Sequence, residues 1–204
     1  VITDREFRRE TWHLDFMWAF DGVAHKPTET GLPFHDEAAK IDDTYLTGKI
    51  AYCGGHPFID HFRFVQDLED EKCVAKLTIP APAQFFEQFA MPFNLKATRR
   101  YYKTDGELAD DIVAAYRAFI ADVYAAGCRN LQFDDCSWGM VVDPHAEQYF
   151  GTDAAGLERV KEALLDVNNR ALEGRPADLT VNTHVCRGNF HSTWACEGGY
   201  DGVA

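Results

Sequence analysis

The sequence predicts an α/β protein built around a parallel sheet, and three observations support this fold class. Segments of strand-like composition alternate with segments of helical periodicity, and the two clearest helices run for about 20 residues each. Polar and charged residues cluster where the predicted strands end. No Gly-x-Gly-x-x-Gly motif follows a predicted strand, which disfavours a dinucleotide-binding fold. Both an open doubly wound sheet and a β/α barrel fit this order, and a barrel carries its active site at the carboxyl ends of the strands.

The composition excludes several classes of protein. The chain has 204 residues, of which 46% are hydrophobic, enough for one core and therefore for a single domain over residues 1–204. No apolar run approaches the roughly 20 residues that span a bilayer, so we expect no membrane partner. The 33 acidic and 20 basic residues give a net charge of -13, which disfavours binding to nucleic acid.

The cysteines predict a reducing compartment. Six of them are dispersed through a chain that is large and apolar enough to fold without disulfides: Cys53, Cys73, Cys128, Cys136, Cys186 and Cys196. No signal-peptide pattern precedes them, so we expect reduced thiols and a cytoplasmic location. The chain begins at Val1 and not at a methionine, and we expect it to be an excerpt of a longer protein.

The first part of the chain predicts irregular structure around two helices. Residues 1–3 read as a strand end, and the aromatic spacing over residues 12–20 predicts an amphipathic helix. Glycine and proline punctuate residues 21–55, which predicts an excursion, with a hairpin as one option and a strand near 47–53. Apolar spacing over 56–68 predicts a second helix.

The rest of the chain predicts a regular alternation of strands and helices, over residues 73–79, 105–126, 129–134, 153–172 and 178–185. Thr104 and Glu107 form a capping-box pattern at the start of the first long helix, and Gly127 marks its end. Four phenylalanines before that helix read as core packing: Phe85, Phe86, Phe89 and Phe93.

The strongest candidate for metal binding is the pair His184 and Cys186. Positions i and i+2 of a strand point to the same side, so an imidazole and a thiolate can converge on one ion. Nitrogen and sulfur together suit zinc. The alternative is a buried thiol that acts only as a small apolar residue.

Carboxylates at two other strand ends are candidate substrate ligands. Asp134 and Asp135 follow a strand, so one of them can cap the next helix while the other faces a pocket. Glu6 either holds a ligand ammonium or belongs to the acidic start of a helix. Cys196 and Glu197 could extend the metal set, although a plain loop is the simpler interpretation.

At these residues the sequence resembles the catalytic barrel of the cobalamin-independent methionine synthases, within the fold shared with uroporphyrinogen decarboxylase. It looks closest to the shorter, single-barrel bacterial relatives. The segments that carry the resemblance are Val1–Arg9, Ala75–Pro82, Leu131–Asp135, His184–Asn189 and Gly198–Asp201. The resemblance implies a (β/α)8 TIM barrel of which this chain holds only a part, with about four barrel strands, so that the sheet should be open.

The resemblance also implies roles for particular residues. His184 and Cys186 match the first two zinc ligands of the family, and Glu6 and Asp134 match the carboxylates that bind the amino group of homocysteine. The remaining zinc ligands of the family come from later strands, and we expect them beyond residue 204. The implied activity is a zinc-dependent transfer of a methyl group to the homocysteine thiol, with a methyl-folate as one option for the donor.

Three departures from the family pattern bear on the methyl donor. Residues 83–86 read Ala-Gln-Phe-Phe where the full-length synthases carry a tryptophan that stacks on the folate. Asp134-Asp135-Cys136 replaces the usual Asp-Glu-Pro, and Arg5 stands where glycine is common. Thiol binding is therefore better supported than a polyglutamyl folate donor. Alternatives on the same fold are a metal-independent decarboxylase of the uroporphyrinogen type and a corrinoid-dependent methyl-transfer protein.

Overall fold

The computed structural model describes residues 1–203, apart from the side chains of residues 32 and 33. The strands in this part of the chain are β1 (Asp21–Lys26), β2 (Leu32–Pro33), β3 (Ala38–Ala39), β4 (Asp43–Ala51), β5 (Leu77–Pro80), β6 (Asn130–Asp135) and β7 (Thr180–Val185). The helices are α1 (Leu14–Trp18), α2 (Pro57–Gln66), α3 (Pro82–Ala90), α4 (Pro92–Thr98), α5 (Asp105–Ala125), α6 (Ser137–Val141), α7 (Ala146–Phe150) and α8 (Ala154–Leu172), with a 3-10 turn over Tyr200–Gly202.

A three-stranded parallel sheet, in the order β5-β6-β7, lies at the centre of the fold. A parallel bridge between Ile2 and Ala75 adds a rudimentary fourth strand next to the start of β5. Within residues 1–203 the strands form small sheets, and no barrel is closed. The predicted parallel α/β class and the open sheet are therefore confirmed, whereas membership of an eight-stranded barrel stays a prediction.

The crossover helices cover the sheet with an aromatic core. Helix α5 buries Leu108, Ile112, Tyr116 and Phe119 at intervals of three and four residues, the periodicity that places side chains on one face. The Tyr116 hydroxyl donates to the Pro80 carbonyl at 2.9 Å, which ties the helix to the end of β5. None of the helices within residues 1–203 combines the length and apolarity that crossing a bilayer requires.

Helix α5 begins at the predicted cap. The Thr104 hydroxyl accepts from the amide of Glu107 at 3.2 Å. The Glu107 carboxylate accepts from the amide of Lys103 at 2.7 Å, whereas in a capping box it would accept from the amide of the N-cap residue itself. The helix ends before Gly127, which has a φ of +106°, as predicted.

Removing this cap should weaken the fold without touching the sheet edge. We expect Thr104→Ala to lower the free energy of unfolding by about 1 kcal/mol, since an amide at the helix start loses its acceptor. Thr104→Ser keeps the hydroxyl and should stay close to the wild type. Urea denaturation of the three proteins measures the difference, and equal midpoints for Thr104→Ala and the wild type would refute the assignment.

The first predicted helix is shorter than its apolar spacing indicated. The structure restricts it to α1, because the chain turns into the β1–β4 hairpin directly after Phe20. Gly22 has a φ of +80°, outside the helical region. A Cβ at this position would lie 2.2 Å from the Lys49 carbonyl oxygen, so β1 and β4 approach each other closely here and the helix cannot continue. Phe20 is still buried, which explains why its position fits the apolar pattern.

Other predicted boundaries and one predicted core residue also need correction. The excursion contains an antiparallel hairpin, and its second strand is β4, which begins earlier than the predicted 47–53. Strand β5 begins at Leu77 because Cys73 lies in a turn that bridges to Asp70. Phe93 is 66% exposed on the short helix α4, whereas the other three phenylalanines are buried.

Candidate functional site

The carboxyl ends of the parallel strands bring most of the predicted site residues to one edge. In the register of the sheet, Pro80 lies opposite Asp134, and Asp134 lies opposite His184. Cys136 and Cys186 follow directly after the last paired residues of β6 and β7. Because all three strands run in the same direction, these polar side chains end at the same side of the molecule.

Glu6 reaches this edge from a strained loop. Arg5 and Glu6 have φ values of 52° and 65°, in the left-handed region that non-glycine residues rarely adopt. The Asp4 carboxylate supports the turn by accepting from the Glu6 amide at 3.0 Å. The loop follows the Ile2 bridge, so this short fourth strand delivers Glu6 in the same way that β6 delivers Asp134.

A buried arginine anchors the Glu6 carboxylate. The Arg9 side chain is 1% exposed, and its guanidinium lies 3.7 Å from the Glu6 carboxylate. It donates to the Thr78 carbonyl at 2.6 Å and lies over the Phe58 ring at 4.0 Å. The Thr78 hydroxyl donates to Glu6 at 3.0 Å. Burial lowers the pKa of Arg9, although Glu6 opposes this shift.

Glu6 and Asp134 form a pair of neighbouring carboxylates. Burial raises the pKa of Glu6, and the nearby charge of Asp134 raises it further, while Arg9 and Thr78 lower it. Asp134 accepts from the side-chain amide nitrogen of Gln132 at 2.6 Å, and the Lys76 ammonium donates to the side-chain oxygen of Gln132 at 2.6 Å.

This arrangement can bind a cation. Two neighbouring carboxylates repel each other unless a positive charge or a proton lies between them. Asp134 is 7% exposed and Glu6 is partly open to solvent, so a ligand can reach the pair from the sheet edge.

Asp135 points away from this pair and has a structural task. It is fully buried, accepts from the Ser137 amide at 3.1 Å, and accepts from the Asn168 side chain at 2.9 Å. Asp135 therefore supports the start of α6, while Asp134 faces the edge.

His184 and Cys186 lie close together, as their spacing on a strand requires. Donation from the Cys136 thiol lowers the pKa of Cys186, and the Gly188 amide, at 3.3 Å from the sulfur, and His184 lower it further against the effect of burial. The contact with Cys186 raises the pKa of Cys136, and burial raises it further.

These residues fit zinc as part of a ligand set. A histidine nitrogen and a thiolate sulfur are donors that zinc prefers, and a structural or catalytic site needs three or four such donors. Among residues 1–203 no group of three or more His, Cys, Asp or Glu side chains is arranged to hold a metal ion. His184 and Cys186 alone would supply two of these donors.

The remaining candidates stay outside the edge site. The amide of Cys196 donates to the Arg187 carbonyl at 3.0 Å, and burial raises the pKa of its thiol to about 12. The amide of Glu197 donates to Asp143 at 2.8 Å. His56, which the sequence does not mark as a candidate ligand, is the buried N-cap of α2, where its ring accepts from the Phe58 amide at 3.1 Å.

Several residues that shape this edge were not predicted from sequence. Arg9 appeared only as part of a charged loop, Lys76 had no distinguishing signal, and Cys136 appeared only as a departure from a pattern. The one available clue was spacing, because Gln132 lies two residues before Asp134 and Thr78 lies two residues before the end of β5.

The fold and the site together define an α/β protein with a polar site at the carboxyl ends of its parallel strands. No family model matches the sequence. The chain is 37% identical over 204 residues to the uncharacterized protein YxjH of Bacillus subtilis (strain 168). It is 36% identical over 205 aligned residues to the uncharacterized protein YxjG of the same organism. All of the chain aligns in both cases but only 52% of each relative, so the chain spans about half of their length.

Two solved structures share the fold. One, from Listeria monocytogenes, is provisionally assigned as a vitamin-B12-independent methionine synthase; it superposes with a TM-score of 0.67 at 31% identity over 93% of this chain and 49% of its own. The other is a B12-independent methionine synthase from Shewanella sp. W3-18-1 in complex with selenomethionine, with a TM-score of 0.59 at 18% identity over 93% of this chain and 47% of its own. The mixed α/β fold of this chain is therefore similar to that of methionine-synthase-like proteins.

Proposed function

We propose that the protein is a zinc-dependent S-methyltransferase that methylates the thiol of homocysteine or of a closely similar amino thiol. One observation carries the proposal: the Glu6–Asp134 carboxylate pair lies at the same sheet edge as His184 and Cys186, with Asp134 and His184 opposite each other in register. The likeness to the Listeria protein supports the same class of reaction.

Glu6 and Asp134 bind the ammonium group of the acceptor. Each contact between a carboxylate and an ammonium is a charge-assisted hydrogen bond, which is stronger than a neutral one. Arg9, Thr78 and Gln132 hold the two carboxylates in place before the substrate arrives, so little reorganisation is needed on binding.

His184 and Cys186 would hold the metal beside that ammonium site. When bound there, zinc would supply a Lewis acid that lowers the pKa of the acceptor thiol, so that the sulfur could react as a thiolate at neutral pH. The carboxylate pair fixes the amino end of the substrate and thereby aims its sulfur at the next strand end. A methyl donor on the open side of the edge is then positioned for an in-line displacement.

The charge of the site argues against a decarboxylase of the uroporphyrinogen type. Such an enzyme needs cationic side chains that face a polycarboxylate substrate. Here the carboxylates Glu6 and Asp134 face the edge, and the nearby cations are already engaged: Arg9 by Glu6 and Thr78, and Lys76 by Gln132. An anionic substrate would be repelled from this pair.

Methyl transfer to homocysteine by the full-length protein tests the proposal. The assay compares methyl-folate, methylcobalamin and a simple methylated thiol as donors, and the zinc content of the same preparation is measured. We expect product with one of these donors and about one equivalent of zinc per chain. A preparation that binds no zinc, or that produces no methionine with any donor, would rule out the mechanism.

A variant of the carboxylate pair tests the ammonium site separately. We expect Asp134→Asn to raise the KM for homocysteine about 10- to 100-fold, because a charged hydrogen bond contributes roughly 1.5–3 kcal/mol. The desamino analogue of homocysteine lacks the ammonium and should react alike with the variant and the wild type. Glu10→Gln, at an exposed position near the same loop, serves as the control. Equal losses with both acceptors would show that the role of Asp134 is not ammonium binding.

A further inference from the structure

A second cysteine lies beside the proposed metal ligand. Strands β6 and β7 pair in parallel with a register that ends at Asp135 and Val185, and Cys136 and Cys186 each follow the last paired residue. Paired residues of neighbouring strands lie about 4.8 Å apart. The two cysteines therefore start from neighbouring positions, close to the roughly 4.4–6.8 Å that the Cα atoms of a disulfide require.

The packing around the two cysteines holds them together. The two side chains are close enough for each thiol to shift the pKa of the other. Helix α6 presses against the chain just after β7, where a Cβ on Gly139 would lie 2.5 Å from the Cys186 carbonyl oxygen. On the other side, the Gln84 side chain accepts from the Cys136 amide at 3.2 Å. These contacts hold the backbones of the two cysteines next to each other.

We propose that Cys136 and Cys186 are a redox modification site, at which a hydroperoxide converts the two thiols into a reversible disulfide. The Cys186 sulfur attacks the peroxide, which breaks the O–O bond, forms a sulfenic acid and releases an alcohol or water. The Cys136 sulfur then attacks the sulfenic sulfur, which forms the S–S bond and releases water. Overall, two thiols and one hydroperoxide give one disulfide, one alcohol or water, and one further water.

The disulfide would also remove a ligand from the metal site, a consequence that rests on the proposed function. A sulfur held in a disulfide no longer carries the negative charge with which a thiolate binds zinc. Oxidation of this pair would thus release the metal, and reduction by a thiol would restore the site.

The other cysteines lack this arrangement. Cys53 and Cys73 form hydrogen bonds with Asp21 and Asp70, and Cys128 with the Asn130 carbonyl. Cys196 also lies near Cys186 in the structure, but it is buried in its own loop. It is the alternative disulfide partner that the experiment must distinguish from Cys136.

Peptide mapping identifies the bond directly. The zinc-free full-length protein is treated with hydrogen peroxide, alkylated and digested with trypsin. Cleavage after Lys and Arg places Cys136 in the peptide 130–159, Cys186 in 171–187 and Cys196 after residue 187, so each thiol is alone in its fragment. We expect a cross-linked pair of the first two peptides, which dithiothreitol separates again.

Variants decide between the possible partners. Cys136→Ser and Cys186→Ser should each abolish the cross-link, whereas Cys53→Ser should retain it, and a sulfenic-acid trap should label Cys186 in the Cys136→Ser protein. Absence of the cross-link in the wild type, or a bond between Cys186 and Cys196, would overturn the inference.

Zinc addition separates this inference from the proposed function. We expect zinc-loaded protein to form the cross-link more slowly, since the metal engages the Cys186 sulfur. Cross-linking at the same rate with and without zinc would keep the redox pair and contradict zinc ligation by Cys186 instead.

Discussion

Replacing Cys186 with alanine should remove zinc and methyl transfer together while the protein stays folded. Cys186 lies at the end of β7, half-buried and outside the aromatic core, so its side chain contributes little to stability. We expect zinc content to fall to near zero and methyl transfer to fall by more than about 100-fold, since loss of an outer partner of a ligand alone costs 10–100-fold.

Metal analysis, activity and thermal unfolding of the same preparation measure this result. Cys53→Ser is a matched control, because Cys53 is an exposed cysteine that is distant from Cys186 in the sequence. It should keep both zinc and activity. A Cys186→Ala protein that retains zinc and transfers methyl groups within about twofold of the wild type would refute the ligand role.

The second large effect concerns stability at alkaline pH and depends on Glu87. This residue lies in α3 and is 3% exposed. Among residues 1–203 neither of its carboxyl oxygens has a hydrogen-bond partner of ordinary geometry. Burial raises the pKa of Glu87 to about 8; the charge of Asp135 adds to this shift and the nearby Ser137 hydroxyl opposes it.

The sign of the pH dependence follows from that shift. The folded pKa lies above the unfolded value of 4.5, so the folded protein binds the Glu87 proton more tightly. The stabilisation is complete below the unfolded pKa and is lost as pH rises through the folded pKa. At 1.36 kcal/mol per unit of pKa, the loss is on the order of 5 kcal/mol between about pH 4.5 and pH 8.

Glu87→Gln should remove this dependence, because an amide of the same shape does not titrate. We expect the variant and the wild type to differ little near pH 5, and the variant to be more stable by several kcal/mol near pH 9. Urea denaturation across this range measures the difference. Glu162→Gln, at an exposed position of α8, should follow the wild-type curve. Parallel curves for the wild type and Glu87→Gln would exclude a buried, protonated Glu87.

The fold was predictable where local patterns decide it. The periods of helices α5 and α8, the polar N-cap of α5 and the short apolar runs between the helices predict a parallel α/β order, and the structure has that order. The end of the first helix was not predictable, because Phe20 is buried by distant residues and its spacing remains helical beyond the turn.

The site, like the fold, was predictable only in part. Residue types and strand-end positions were enough to name Glu6, Asp134, His184 and Cys186 as candidates. Their roles in binding zinc and substrate stay predictions. Spacing alone could place His184 and Cys186 on one side of a strand, but it could not place Glu6 beside Asp134, which lies 128 positions further along the chain.

The sequence by itself determined the parallel α/β class, the cap of helix α5 and the polar residues at the strand ends, because each depends on neighbours within a few positions. Only the tertiary structure decided which of those ends meet. The register of β6 and β7 sets Asp134 opposite His184 and ends directly before Cys136 and Cys186, and a loop with a positive φ at Glu6 brings this residue close to Asp134. Such contacts are set by the pairing of remote strands and by burial, which local patterns do not encode.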